Sequence, residues 1–553
     1  GSARQGGSTL TQQLVKSYFL TNERTLQRKL RELAMAVILE LRFSKQDLLT
    51  AYVNEIFLGQ NGARAIHGFG LGAQFYFNKP INELNVAEIA TLISIIRGPS
   101  YYNPFRHPER ALSRRNRILD TFYSDGLIGA VDHGQAKAQP IGVVSAAGRG
   151  GAYYPAFMDL VRSELSQRYS NADLRSQGLQ IFTTLDPRLQ ENTQQAVSLT
   201  LDDIERDRKL PKSGLQAASI VADSQTGEVL ALVGGRQGRV DGFNRALNAQ
   251  RSVGSVIKPV TVLTALNQGM ELTDEIVDQL VTLQQSSGED WAPKNFDGKT
   301  YGKLPIYLAL SRSLNLAMVD LGLRVGVENV QEQFTTLTNR RPNNPYPSFL
   351  LGAEAMSPLQ TLELYGNFAS GGFHTRPKAV IAVLDENGSA LSHHTFEMRE
   401  SIQMPQVSAL NKALELAMRR GTGRTSPFSQ LGVAGKTGTT NDNRDSWFAG
   451  FDNSHLSVVW VGRDDNQSTG LTGSSGALRV WNAMARLNGV DPILPIDSDA
   501  LVAIEYTSGQ RADDRCADIV LLPVQDSQAL RIKPGCKIKP SLRQRLRSIF
   551  IDE

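Results

Sequence analysis

Two cysteines, Cys516 and Cys536, are all that the 553 residues contain. A chain so poor in thiols is not a disulfide-stapled scaffold, and without a CxxC or a Cys/His cluster it carries no zinc-type signature. The two lie close together near the C-terminus, either as a disulfide in an oxidising compartment or as free thiols in a reducing one. Long apolar runs are missing as well. The longest, Ala34–Leu39 and Ile89–Ile96, fall short of the roughly 18 residues that span a bilayer. No signal-peptide pattern opens the sequence. Net charge is also small: 59 Lys and Arg against 55 Asp and Glu leave +4, too little to argue for nucleic acid.

What is present describes an ordinary folded protein, 41% hydrophobic and 21% charged, and too long for one core. The basic excess is uneven, with 16 Lys and Arg against 10 Asp and Glu in residues 1–125. That bias suits an anionic surface or a phosphorylated substrate, or is simply a solvated basic face. Residues 8–125 read as mostly helical, since Leu26–Leu41, Lys45–Leu58 and Val86–Ile96 place apolar residues at three- and four-residue intervals. A Gly/Ala/Pro-rich stretch over 142–155 reads as a hinge. Beyond it, Ala217–Asp223 and Glu228–Val233 flank Ser224–Gly227 as a hairpin, and Ser446–Phe451 with Leu456–Gly462 forms a second strand pair. Helical patterns at Val256–Ala265, Pro305–Leu323, Pro358–Phe368 and Val407–Arg419 lie between. The expectation is an α+β domain, an antiparallel sheet packed with helices, over 186–490. It is preceded by a mostly helical segment (1–126) and a linker region (127–185), and followed by an extension (491–553) holding the cysteines.

One Ser-x-x-Lys occurs, Ser255-Val256-Ile257-Lys258. On a helix these two residues share a face, and a lysine kept neutral by burial can take the serine proton. Gly254 would allow close backbone approach to a substrate carbonyl. Ser313-Leu314-Asn315 and Lys436-Thr437-Gly438-Thr439-Thr440 follow in the order of the serine acyl-transfer trio. Ser313 can relay a proton to a leaving amine, and Asn315 can hold a substrate amide. Lys436 supplies charge for a terminal carboxylate, with hydrogen bonds from Thr437 and Thr439. The N–H groups of Ser255 and Thr439 would form an oxyanion hole. Gly435-Lys436-Thr437 is not a P-loop, because Gln430 stands where that motif needs glycine.

Together RSVGSVIKP, SRSLN and GKTGTTNDNRDSWFAGF resemble the transpeptidase domain of the class A penicillin-binding proteins, and within them the 1b type of Gram-negative bacteria. TGEVLALVGG and RRGTGR extend the likeness. The resemblance implies a serine D,D-transpeptidase that cross-links peptidoglycan stems through an acyl-enzyme on Ser255 and is acylated by β-lactams. It implies Thr440 as a further substrate contact and no cofactor for this reaction. A D,D-carboxypeptidase or a non-catalytic penicillin sensor are the alternatives. A β-lactamase is disfavoured, since the only Glu-x-Asn look-alike, Glu83-Leu84-Asn85, lies far upstream of Ser255.

The N-terminal GGSTLTQQ, AYVNEIFLGQNGARAIHGFGLGAQFYF and AEIATLISIIRGPSYYNP resemble the lysozyme-like family 51 glycosyltransferase domain of the same proteins. By that resemblance the domain polymerises lipid II, with Glu32 a catalytic carboxylate. Ser8, Thr9, Gln13, Lys16, Arg28 and Arg97 would hold the sugar pyrophosphate, and amphipathic helices would dip into the membrane surface. A divalent cation is admitted there, although no ligand motif marks one. The family's E-D-x-x-F-x-x-H-x-G motif, with the second carboxylate, does not occur, so this chain is expected not to polymerise glycan by itself. Also implied are lipid II and nascent peptidoglycan as partners, an outer-membrane lipoprotein activator, division or elongation proteins, and the periplasmic side of an inner membrane.

Overall fold

The computed structural model describes the chain apart from residues 1–8, 20–25, 62–63, 78, 80, 144–153, 171–173, 175–178, 239–241, 285–289, 386–388, 394–398, 495–500, 514–515, 525–529 and 534–553. It divides into two compact units, one of residues 1–155 with 239–241 and one of the remainder.

In the first unit, helices Leu10–Phe19, Leu26–Arg42, Lys45–Glu55, Phe69–Phe77, Val86–Ile96, Pro108–Ser124 and Ala130–Ala138 accompany one hairpin, Phe57–Asn61 with Arg64–His67. Ser44 and Asn85 start two of these helices as capping boxes with Asp47 and Glu88, closing the first-turn N–H groups. A core of Leu14, Tyr52, Leu58, Tyr76, Leu92 and Ile95 joins helices to hairpin. Arg115 is fully buried, its guanidinium donating to the carbonyls of Lys137, Gln139 and Pro140. It thereby satisfies one carbonyl of the last turn of helix Ala130–Ala138 and those of the two residues that follow it.

The second unit is built on a five-stranded antiparallel sheet. Its strand order is Ala434–Thr439, Ser446–Phe451, His455–Gly462, Gln216–Asp223 and Val229–Val233. The sheet is covered on both faces, so its inner strands are buried along nearly their whole length. Helices Pro187–Arg208 and Ala477–Asn488 cover one face through Val197, Leu201, Trp481 and Met484, which meet Val221, Phe448 and Val459. Helix Pro358–Ala369 lies on the same strands too, and Met404–Arg419 lies along the edge strand. Both hairpins expected from the sequence are present, and three of the four helical patterns are helical as expected.

Three expectations change. Residues 127–185 are not one linker. Helix Ala130–Ala138 belongs to the first unit, while strand Gln180–Thr183 pairs with Val380–Leu384 in the second. The extension after 490 is not separate either. Its hairpin, Leu501–Glu505 with Ile519–Pro523, belongs to the second unit, and the hydroxyl of Tyr307 donates to the Tyr506 carbonyl at 2.8 Å. The helical pattern over 305–323 is two helices, Ile306–Arg312 and Asn315–Val325, because Ser313 has a left-handed backbone with φ of 60°.

Candidate active site

Three short segments meet at the edge of the sheet formed by strand Ala434–Thr439. The first carries Ser255 on a 3-10 turn, Gly254–Ile257, which runs directly into helix Lys258–Asn267. That helix is buried from Lys258 to Leu266, which makes it a central rod rather than a surface helix. Its entry is pinned by backbone contacts. Val253 N–H donates to Glu354 O, Gly254 N–H to Gly352 O, and the Tyr365 hydroxyl to Val256 O at 2.8 Å. Gly254 has φ of +56°, and a Cβ there would stand 2.6 Å from the Thr439 carbonyl oxygen. The glycine therefore brings the nucleophile turn directly against the edge strand. The Ser255 hydroxyl makes no hydrogen bond among the described residues, and Ser255 is half-buried.

The second segment is the break between the two helices at Ser313. Its left-handed backbone ends one helix, and Asn315 opens the next after a single intervening residue. The third is edge strand Ala434–Thr439, in register with Ser446–Phe451. Its alternation points Lys436 into the interior, where it is fully buried, as is Lys258.

These segments make one network. Lys258 Nζ donates to the Ser313 carbonyl at 2.7 Å and to Asn315 Oδ1 at 2.6 Å, with a longer contact of 3.4 Å to Ser313 Oγ. Lys436 Nζ donates to Ser313 Oγ at 2.8 Å and to the Thr437 carbonyl at 2.9 Å. The Ser313 hydroxyl therefore lies between two amines. Burial holds Lys258 well below the ordinary lysine range, and the Lys436 charge adds to this, while Asp278 opposes it. Burial also pushes Lys436 down to about 7. A neutral lysine has two N–H bonds and one lone pair. At Lys258 two carbonyl-type oxygens, Ser313 O and Asn315 Oδ1, can take the N–H bonds of the neutral amine, whose lone pair can then accept a proton.

The other expected site residues are also hydrogen-bonded within the protein. Asn315 Nδ2 donates to the Lys294 carbonyl at 2.7 Å, so its amide is engaged at both ends within the protein and orients Lys258. Thr437 shares a 2.6 Å hydrogen bond with the Thr422 hydroxyl, and Thr439 Oγ1 accepts from Gly473 N–H. Thr440 Oγ1 closes a turn with Asp445. Gly438 has no room for a side chain, because a Cβ would lie 2.8 Å from the Val253 carbonyl oxygen.

In the first unit, Glu32 is almost fully buried on helix Leu26–Arg42 and ion-paired with Lys29 one turn earlier. Gln13 Oε1 accepts from the Tyr52 hydroxyl at 3.0 Å, across two helices. Thr9 Oγ1 accepts from Gln12 N–H at the start of helix Leu10–Phe19, a capping contact. Arg97 is exposed just after Ile96. Ser8 lies outside the described residues, as do the side chains of Lys16 and Arg28. Cys516 is disulfide-bonded, and Cys536 lies outside the described residues.

Comparison with known proteins gives the same division of the chain. Residues 1–123 match the transglycosylase family and 217–479 the penicillin binding protein transpeptidase domain. Penicillin-binding protein 1B of Vibrio cholerae is 39% identical over 98% of this chain and 70% of its own length. Penicillin-binding protein 1B of Escherichia coli is 38% identical over 92% of this chain and 61% of its own. The chain belongs to the class A penicillin-binding proteins. Among solved structures, penicillin-binding protein 1A of Haemophilus influenzae superposes with a TM-score of 0.61 at 20% identity, covering 95% of this chain and 94% of that one. The likeness there is one of fold.

Sequence reasoning missed four residues of this penicillin-binding site. Thr422 sits in RRGTGR, which entered only as part of the resemblance, with no chemistry attached. Ser474 donates to its carbonyl at 2.8 Å. Asp278 and Asn295 are buried behind Asn315. Only Thr422 had a local signal, because the other three reach the site through tertiary packing.

Proposed function

We propose that the second unit transfers acyl groups between peptidoglycan stem peptides. The carrying observation is the Ser313 hydroxyl held between two buried lysines, beside a serine on a pinned turn. Ser255 Oγ passes its proton to Lys258 Nζ and bonds to the penultimate D-Ala carbonyl carbon of a D-Ala-D-Ala stem. The N–H groups of Ser255 and Thr439 receive the oxyanion. The peptide C–N bond breaks, and the leaving D-Ala nitrogen takes the proton from Lys258 through Ser313 Oγ. Lys436, protonated beside the substrate carboxylate, fixes the departing residue. The amine of a second stem then attacks the ester, a new amide forms, and Ser255 Oγ regains a proton. A β-lactam follows the first half, its ring amide opening onto Ser255.

The first unit is read as a lipid II polymerase, with Glu32 assisting departure of undecaprenyl pyrophosphate. Helix Leu26–Arg42 supports this reading. It exposes Leu33, Val37 and Leu41 at four-residue spacing, with Ile38 and then Phe43 beside them. Such a stripe suits a lipid surface, and with it the periplasmic face of an inner membrane. No described helix is long and apolar enough to cross a membrane.

Intact-protein mass spectrometry after incubation with benzylpenicillin tests the assignment. One stable adduct is expected, absent from Ser255→Ala. A folded protein that neither forms the adduct nor hydrolyses the drug would sink it.

A further inference from the structure

The helix that opens at Asn315 begins without a cap of its own. Residue 314, at its N-cap, is leucine, which has no side-chain acceptor. The first-turn N–H groups are satisfied from elsewhere in the chain. Asn315 and Leu316 donate to Asn295 Oδ1 at 2.6 and 3.2 Å, and Ala317 donates to Asp278 Oδ1 at 3.0 Å. The two supporting side chains are themselves joined. Asn295 Nδ2 donates to Asp278 Oδ2 at 2.8 Å and to the Lys299 carbonyl at 2.9 Å, and Tyr301 N–H also donates to Asp278 Oδ2. Asp278 is fully buried and Asn295 is 5% exposed.

The same loop fixes the Asn315 side chain. Lys294, next to Asn295, accepts from Asn315 Nδ2, so the amide must present its oxygen to Lys258. A displaced loop would rotate that oxygen away from the amine. Charge adds a second effect. The groups that face Lys258 are Lys436 from the edge strand, Asp278 from the end of strand Glu275–Asp278, and the neutral Ser313 and Asn315. The Asp278 carboxylate acts on Lys258 in the sense opposite to burial and the Lys436 ammonium, raising its basicity.

We propose that Asp278 and Asn295 are positioning residues for acyl transfer: Asn295 holds Asn315 so that its amide oxygen orients Lys258, and Asp278 holds Asn295 and the first turn of the same helix in place. The proposal rests on Lys258 as the base for Ser255.

The test is the second-order rate of acylation of the full chain by benzylpenicillin, measured from pH 5 to 9 in wild type, Asp278→Asn, Asp278→Glu and Asn295→Ala. Removing the negative charge lowers the basicity of Lys258. The acid limb of the Asp278→Asn profile should therefore move down by about one pH unit. Asp278→Glu, which keeps the charge, should leave the limb within a few tenths of wild type, whatever its rate. Asn295→Ala should slow acylation at the optimum about 10- to 100-fold in a protein that still melts cooperatively. A limb unmoved in Asp278→Asn, or moved equally in Asp278→Glu, overturns the charge role. A wild-type rate in Asn295→Ala overturns the positioning role, and that variant decides the proposal should Asp278→Asn fail to fold. Loss of the adduct in wild type, or its persistence in Ser255→Ala, would instead count against the underlying assignment of the nucleophile.

Discussion

Lys258 and Lys436 approach the Ser313 hydroxyl from different elements, one from the buried helix and one from the edge strand. Two ammonium groups cannot share that space without a large electrostatic cost, so the pair divides its protons. In the proposed reaction Lys258 serves as base, and Lys436, near 7, carries the charge that meets a carboxylate. Acylation by benzylpenicillin should accordingly rise with pH as Lys258 loses its proton, then fall above about 7 as Lys436 loses its own. Lys436→Gln should lower the rate at every pH and abolish the alkaline limb. Its acid limb should move to higher pH, because the positive charge that depresses Lys258 has gone. A stopped-flow pH series reads all three effects, and an alkaline limb retained in Lys436→Gln would refute the assignment. The Ser-x-x-Lys string and both partner motifs, which the fold brings together, were legible because each is a short string whose chemistry depends on local spacing. Asp278 and Asn295 were not, because an aspartate and an asparagine in a loop have no distinguishing pattern until the fold places them under a helix end.

Among the elements, the 3-10 turn at Ser255 depends most directly on one residue. Gly254 combines a left-handed backbone with direct contact against Thr439. Gly254→Ala should lower stability by about 1–2 kcal/mol from backbone strain alone. It should also slow acylation more than stability explains, since the added methyl pushes the oxyanion-forming strand away. Denaturant melts and acylation rates of the same samples separate the two effects. Helix Pro358–Ala369, which anchors that turn through Tyr365, begins at a capping box of Ser357 and Gln360. Ser357→Ala should cost about 1 kcal/mol and leave the acid limb of acylation unmoved. Helices of this kind were readable from apolar periodicity. The strand Ala434–Thr439 was not, because AGKTGT offers small and polar residues without alternation. It is a strand because Ser446–Phe451 supplies its hydrogen-bond partners.

For the molecule as a whole, burying two lysines has a stability consequence. The folded pKa of Lys436, about 7, lies below its ordinary value of 10.5, so between those values the unfolded chain binds a proton that the folded protein does not. Stability must therefore rise with pH across that window, by up to about 1.4 kcal/mol per unit for this group. Lys436→Met should be more stable than wild type near pH 7, with the difference shrinking toward pH 10. Urea titrations at a series of pH values measure that difference, and a constant gap would contradict the buried, depressed lysine.

The sequence by itself determined the chemistry and the broad division of the chain. A serine, its lysine and two companion motifs are recognisable wherever the fold places them, and strands and helices with regular apolar periods declare themselves locally. Tertiary structure alone decided the rest. Strand Gln180–Thr183 finds its partner at Val380–Leu384, which made an apparent linker part of the second unit. A left-handed Ser313 split one helical pattern into two and set its hydroxyl between two amines. The physical reason is the same in each case. Pairing, burial and the electrostatics of a low-dielectric interior depend on neighbours far apart in the chain, and those neighbours exist only once it has folded.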